Sequence, residues 1–185
     1  SALTSLDLSY NALADFSAVA TCAALQFLDV SNNVLPSLTG IGSLGALTEL
    51  NGSYNQLTEV TGLGSFAALV KLNLSNNALT SMDDLATLTH VTEIDVSYND
   101  ILTIPDFPED AALVTFNGCH NYFEDVSGLA GLNTLNYVYL DYNNITDINV
   151  LSTCINLIQV GVFQTNVSDA SALLDMNVIV SYNPT

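Results

Sequence analysis

The sequence predicts an α/β solenoid in which short strands alternate with short helical turns. Three observations lead there. The pattern L-x-x-L-x-L-x-x-N-x-L begins at residues 3, 25, 47, 69, 91, 113, 135 and 157, a constant step of 22. Within each copy the central L-x-L alternates with period two, which marks a short strand with one buried face. After the asparagine, a small polar residue precedes apolar residues at repeat positions 14, 17 and 20, the pattern of a capped helical turn.

The strand comes first in each repeat. "LTSLDLSYNAL", "LQFLDVSNNVL" and "LVKLNLSNNAL" place apolar side chains inward at positions 4 and 6 and leave positions 3, 5 and 7 facing outward. The asparagine column follows at position 9: Asn11, Asn33, Asn55, Asn77, Asn99, Asn121 and Asn143, with Thr165 in the eighth copy and Asn183 after it. An amide side chain donates and accepts, so a stacked column of them can satisfy backbone groups buried where the chain turns. Position 13 is Asp15, Ser37, Glu59, Ser81, Thr103, Asp125, Asp147 and Asp169, and all but Glu59 are N-cap formers. A short 3₁₀ turn on the outer face of each repeat is expected from them.

Counting from the asparagines, "VIVSYNP" arrives early, so repeat eight is shortened to 18 residues and a partial repeat spans 175–185. The whole of 1–185 is read as one domain. In repeat five, "IPDFPEDAA", Pro105 and Pro108 oppose a helical turn, and Asp110 takes an apolar position. Gly52 and Gly118 replace the inward residue at position 6. Phe116 is placed to refill the space at Gly118, whereas Leu50 offers nothing comparable at Gly52. Pro184 is compatible with ending the strand ladder. No capping segment precedes Leu3, so the chain is expected to be a fragment of a longer protein.

These repeats resemble the leucine-rich repeat family, and the 22-residue form is similar to the bacterial internalin-like class across essentially the whole chain. The resemblance implies a curved horseshoe, with a parallel β-sheet on the concave face and short 3₁₀ turns on the convex face. It also implies a binding scaffold rather than an enzyme, although fold alone names no ligand.

Composition narrows the partners. The net charge of −18 arises from 19 acidic residues against one lysine and no arginine, so the chain is base-poor rather than acid-rich. Phosphate recognition depends on Lys and Arg, which argues against nucleic acid and anionic membranes. No apolar run approaches the roughly 18–20 residues of a membrane-spanning helix. A basic partner surface is favoured electrostatically. Glu49, Lys71 and Glu93 share position 3 on consecutive strands, so Lys71 is expected between two glutamates, relieving repulsion.

No constellation supports catalysis, a metal or a cofactor. Cys119 and His120 adjoin, but successive strand residues point to opposite sides, and a zinc site needs three or four ligands where only two histidines exist. Cys22 and Cys154 both occupy inward position 20, about 29 Å apart over six strand steps, far beyond disulfide reach. Three free thiols are expected. The polar ladder at position 5 (Asp7, Asp29, Asn51, Asn73, Asp95, Asn117) lacks the wrapped loop that calcium favours.

The candidate binding site is the C-terminal part of the concave face, where outward or rim positions hold His120, Tyr122, Tyr137, Tyr139, Asp141, Tyr142 and Phe163. Corresponding positions in the first repeats are mostly small and polar. Tyrosines beside an acid suit a protein-binding hot spot, since aromatics contribute contact area at little entropic cost. The reading is a non-catalytic protein-interaction module of a secreted or surface-anchored bacterial protein, exposed at the cell surface or outside the cell, with a host or cell-surface protein as its ligand. A glycan adhesin using the same tyrosines and an intracellular regulatory scaffold are the alternatives.

Overall fold

The computed structural model describes residues 2–15, 17–63 and 66–182. Nine strands form one open parallel sheet in sequence order: β1 (Ser5–Asp7), β2 (Phe27–Asp29), β3 (Glu49–Asn51), β4 (Lys71–Asn73), β5 (Glu93–Asp95), β6 (Thr115–Asn117), β7 (Tyr137–Tyr139), β8 (Gln159–Val162) and β9 (Ile179–Tyr182). From β1 to β8 the register advances by 22, so Leu28, Leu50, Leu72, Ile94, Phe116, Val138 and Val160 lie side by side beneath the sheet. All seven are buried. This pairing puts every repeat position in a column, which is why one sequence column becomes one physical stripe.

The last pair departs from that step. Val160 pairs with Val180 and Gly161 with Ser181, a step of 20 rather than the 18 counted from the asparagines. The strand hydrogen bonds follow the apolar alternation of "VIVSY", not the position of the next asparagine. Asn183 and Pro184 lie outside the described residues.

Hydrogen bonding continues past the short strands. The N–H groups of Val30 and Asn32 donate to Asn51 and Ser53, and this stitch recurs along the sheet. The asparagine column then closes each turn. Asn99 shares its amide protons among the carbonyls of Leu74, Val96 and Ser97 at 3.0–3.2 Å, while its oxygen accepts the Leu79 N–H at 2.9 Å. Leu74 and Leu79 belong to the preceding repeat, so each asparagine of the column from Asn33 to Asn143 fastens two coils together, whereas Asn11 bonds only its own coil. Thr165 keeps only local contacts: its hydroxyl donates to the Val162 carbonyl at 2.7 Å and accepts the Val167 N–H at 3.4 Å.

The outer face carries 3₁₀ turns at Ser17–Thr21, Ile41–Ser43, Asp83–Thr87, Ser127–Leu129 and Asn149–Thr153. Repeat eight instead has an α-helical turn, α1 (Ser171–Leu174). Repeat five runs without a helical turn past its two prolines, as their geometry requires. There the chain packs so closely that a side chain at Gly128 would strike the carbonyls of Ile104 and Pro105. Asp110 is exposed and the neighbouring Ala111 takes the buried place instead.

The position-13 residues act one step earlier than a helix N-cap. Asp15, Asp125, Asp147 and Asp169 each accept the backbone N–H two residues ahead at 2.7–2.9 Å, and after the last three the position-14 residues Val126, Ile148 and Ala170 are the caps proper. These are Asx turns that feed the chain into the helical turn.

Both glycines at position 6 are compensated. At Gly118 a Cβ would lie 2.7 Å from Phe123 and 2.9 Å from Phe116, so two rings fill the space. At Gly52 the filling comes from Leu74 on the adjacent coil, 3.2 Å from where a Cβ would stand, a contribution that inspection of Leu50 alone does not reveal.

Candidate functional site: the concave trough and its aromatic rim

Outward side chains at positions 3 and 5 line a trough of about 440 Å³ across the concave face, from Phe27 on β2 to Tyr139 on β7. Its charged groups are Asp29, Glu49, Glu93 and Asp95, opposed by Lys71 alone. The register sets Lys71 between Glu49 and Glu93, as expected. The ammonium bonds Glu93 at 3.0 Å, and Glu93 is the main reason its pKa rises, with a smaller contribution from Glu49. Both partners of that bridge are half-exposed, so solvent screens it heavily.

The position-5 carboxylates are held by the sheet. Asp29 accepts the Ser31 N–H at 2.8 Å and the Asn51 amide at 2.9 Å. Asp95 repeats this with Ser97 and Asn117. Where an amide follows the acid on the next strand, as Asn51 follows Asp29 and Asn117 follows Asp95, its N–H group stands where a second charge would repel across one strand step.

The second feature lies along the edge where the strands turn. Position 8 adopts left-handed backbone in all eight repeats, with φ of 53–59° at Tyr10, Asn32, Tyr54, Asn76, Tyr98, His120, Tyr142 and Gln164. Strand alternation therefore fails at this column. The conformation turns every position-8 side chain the same way, one coil above the next, and the coil spacing of about 4.8 Å suits ring stacking. His120 is sandwiched between Tyr98 at 4.1 Å and Tyr142 at 4.2 Å, with planes within 14° of parallel. Phe163, at position 7, meets Tyr142 by its edge at 5.9 Å and 70°.

The seven candidate residues thus separate into groups. His120, Tyr142 and Phe163 form one continuous row of ring contacts, stacked between the first two and edge-on at Phe163. Tyr98 completes it and escaped the sequence reading, although it occupies the same repeat column as His120. Tyr137 and Tyr139 are half-buried on β7, and of the seven only Tyr139 lines the trough. Tyr122 is exposed and stands outside the ring stack.

Asp141 serves the sheet. One carboxylate oxygen accepts the Phe163 N–H at 2.5 Å and the other faces the Cys119 thiol at 3.6 Å. The Phe163 N–H would ordinarily bond a position-5 side chain, as Ser31 does with Asp29, but repeat eight has Gly161 there. Asp141 reaches across from β7 to substitute for it, through space that Gly161 leaves open: a Cβ would lie 2.9 Å from its oxygen.

Comparison with known proteins now has a geometry to meet. The family model of the leucine-rich repeat matches residues 2–20 and 87–102. Internalin C2 of Listeria monocytogenes has a similar structure, with 28% identity and a TM-score of 0.80 over 85% of this chain and 70% of its own. An internalin of the same species, InlF, has 25% identity and a TM-score of 0.74 over 99% of this chain and 61% of its own. The chain has the leucine-rich repeat fold, and its repeats are similar to those of the internalins. A plant peptide hormone receptor, RGFR1, in complex with RGF2 also superposes, with a TM-score of 0.82 over 98% of this chain and 32% of its own, but at 22% identity the likeness is one of fold. A comparison with curated proteins finds no match.

The leucine-rich repeat fold makes this chain a protein-interaction module in general terms. Its cysteines are free, Cys154 wholly buried and Cys22 and Cys119 partly so. Burial first, and then the Asp141 charge, pushes the Cys119 thiol up to about 12, far from a nucleophilic thiolate. His120 spends both ring faces on tyrosines rather than on Cys119. Among the described residues no cluster of three or more His, Cys, Asp or Glu is arranged for a metal, and no helix is long and apolar enough to cross a membrane.

Proposed function

We propose that this chain is a non-catalytic module of a secreted or surface-anchored bacterial protein, and that it binds a host or cell-surface protein along its concave face. The observation that carries the reading is the open sheet face itself: an uncovered trough lined by carboxylates and bounded by aromatic side chains. The internalin likeness supports the bacterial surface setting, and the near-absence of Lys and Arg suits an exposed protein that must withstand trypsin-like proteases.

Ring geometry favours a protein over a glycan. Sugars stack on open aromatic faces, but both faces of His120 are covered, as is one face of Tyr142. Tyr142 remains exposed at the rim, where a phenol combines apolar area with a hydroxyl, which suits a protein surface. The test is a display array of extracellular protein domains run beside a glycan array, with the wild-type chain and with Tyr137, Tyr139 and Tyr142 together replaced by alanine. Protein hits that vanish in the variant, with unchanged circular dichroism, support the reading. Unchanged hits would remove the tyrosines from the site, and saturable sugar binding lost in the variant would transfer the function to glycans.

A further inference from the structure

The trough has a charge pattern that its size alone does not convey. Asp29 and Glu49 form one acidic station on the adjacent strands β2 and β3, and Glu93 and Asp95 form another on β5. Between them stands β4 with Lys71, the chain's one lysine in a sequence without arginine, already bonded to Glu93. Among the described residues Glu49 forms no ion pair. Asp29 and Asp95 are held in place by hydrogen bonds from the serines beside them and from Asn51 and Asn117.

The stations are separated by about 2.5 strand steps, or about 12 Å, and four residues of extended chain span about 13 Å. An even separation brings both side chains to the same face of an extended segment. The residue midway between them would lie over Lys71.

Resting on the protein-binding reading above, we infer that the trough holds an extended segment of the partner. That segment carries arginine or lysine at two positions four residues apart, with a non-cationic residue midway. Each cation meets one acidic station, and the midpoint is barred to a third cation by Lys71. Phe27, on β2 with Asp29 at one end of the trough, supplies apolar surface for the hydrocarbon stem of the cation at that station. The selectivity lies in charge spacing, so a partner with the same net charge but adjacent cations is discriminated against.

The probes are short fluorescein-labelled peptides of glycine, serine, threonine and two arginines, read by anisotropy against the intact chain. One isomer has its arginines four apart and one has them adjacent; a third peptide adds lysine at the midpoint. The spaced isomer is expected to bind about tenfold more tightly than the adjacent one, and its binding should weaken as salt rises. Glu49→Gln should weaken the spaced peptide by about threefold or more, and Lys71→Met should erase the penalty of the midpoint lysine. Neither residue is buried, so the fold is expected to survive both changes. Equal affinity for the two isomers, no saturable binding, or indifference to Glu49→Gln would overturn the inference. Array partners that depend on the tyrosines, together with no preference for the spaced peptide, would overturn it while leaving the wider reading standing.

Discussion

His120 lies face to face with Tyr98, ring centroids 4.1 Å apart and planes 14° from parallel, although 22 residues separate them in the chain. The contact exists because both residues occupy the repeat position that turns left-handed at the end of each strand. Non-glycine residues pay about 1–2 kcal/mol there, and stacking offsets part of that cost. His120→Ala removes both ring contacts while keeping the backbone cost, and should lower stability by about 1 kcal/mol. His120→Gly loses the rings but relieves the backbone, so it should cost less than alanine. Urea denaturation of the two variants checks the order; a more damaging glycine would contradict this account.

The asparagine column makes a paired prediction. Asn99→Ala strips the buried Leu79 N–H of its acceptor and should cost about 3 kcal/mol. Repeat eight lacks the equivalent bond, because Thr165 does not reach back to the preceding coil. Thr165→Asn should let the new amide accept the Ile145 N–H and raise stability by about 1 kcal/mol. Thermal melts of both variants decide it, and an unchanged midpoint for Thr165→Asn would count against the column as an inter-coil fastener.

The two position-6 glycines should respond differently to alanine. At Gly118 the new methyl meets two rigid rings at 2.7 and 2.9 Å, so Gly118→Ala should cost about 2 kcal/mol. At Gly52 it meets the flexible end of Leu74 at 3.2 Å, and Gly52→Ala should stay within about 0.5 kcal/mol of wild type. Equal losses would mean that coil spacing, not the rings, limits the space.

Acid should loosen the convex turns. Asp125 has its pKa lowered from 3.8, first by the Ser127 hydroxyl and then by the Ser127 backbone N–H. A depressed folded pKa stabilises above the unfolded value, and that contribution disappears as pH falls through the folded pKa. Ser127→Ala should therefore cost about 0.5 kcal/mol at neutral pH. It should also make stability less steep in pH below about 4. Urea midpoints from pH 2 to 6 test this; an identical acid limb in both proteins would rule out the Asp125–Ser127 contact as its cause.

Much of the scaffold was legible because a strict 22-residue period forces equivalent residues into columns, and parallel in-register pairing preserves them. The asparagines, the inward residues at positions 4 and 6 and the Glu49–Lys71–Glu93 row all follow from counting. The end of the array was less legible. The sequence signals a shortened repeat but aligns it by asparagine, whereas β8 and β9 pair by apolar alternation, two residues later. The candidate site was legible only as a composition. Counting places seven residues in the C-terminal region, yet Asp141 serves Phe163 on the next coil because Gly161 has no side chain to do so.

By itself the sequence determined the repeat, its strand register through β8, the buried columns and the acidic, base-poor face, since each depends on a residue's place in a local period. The tertiary structure alone decided that position 8 turns left-handed, that Tyr98 joins His120 and Tyr142 in one stack, and that the trough lies over β2 to β7. Those outcomes depend on the distance between neighbouring coils and on which side chain is missing next door. Such quantities exist only once the coils have stacked.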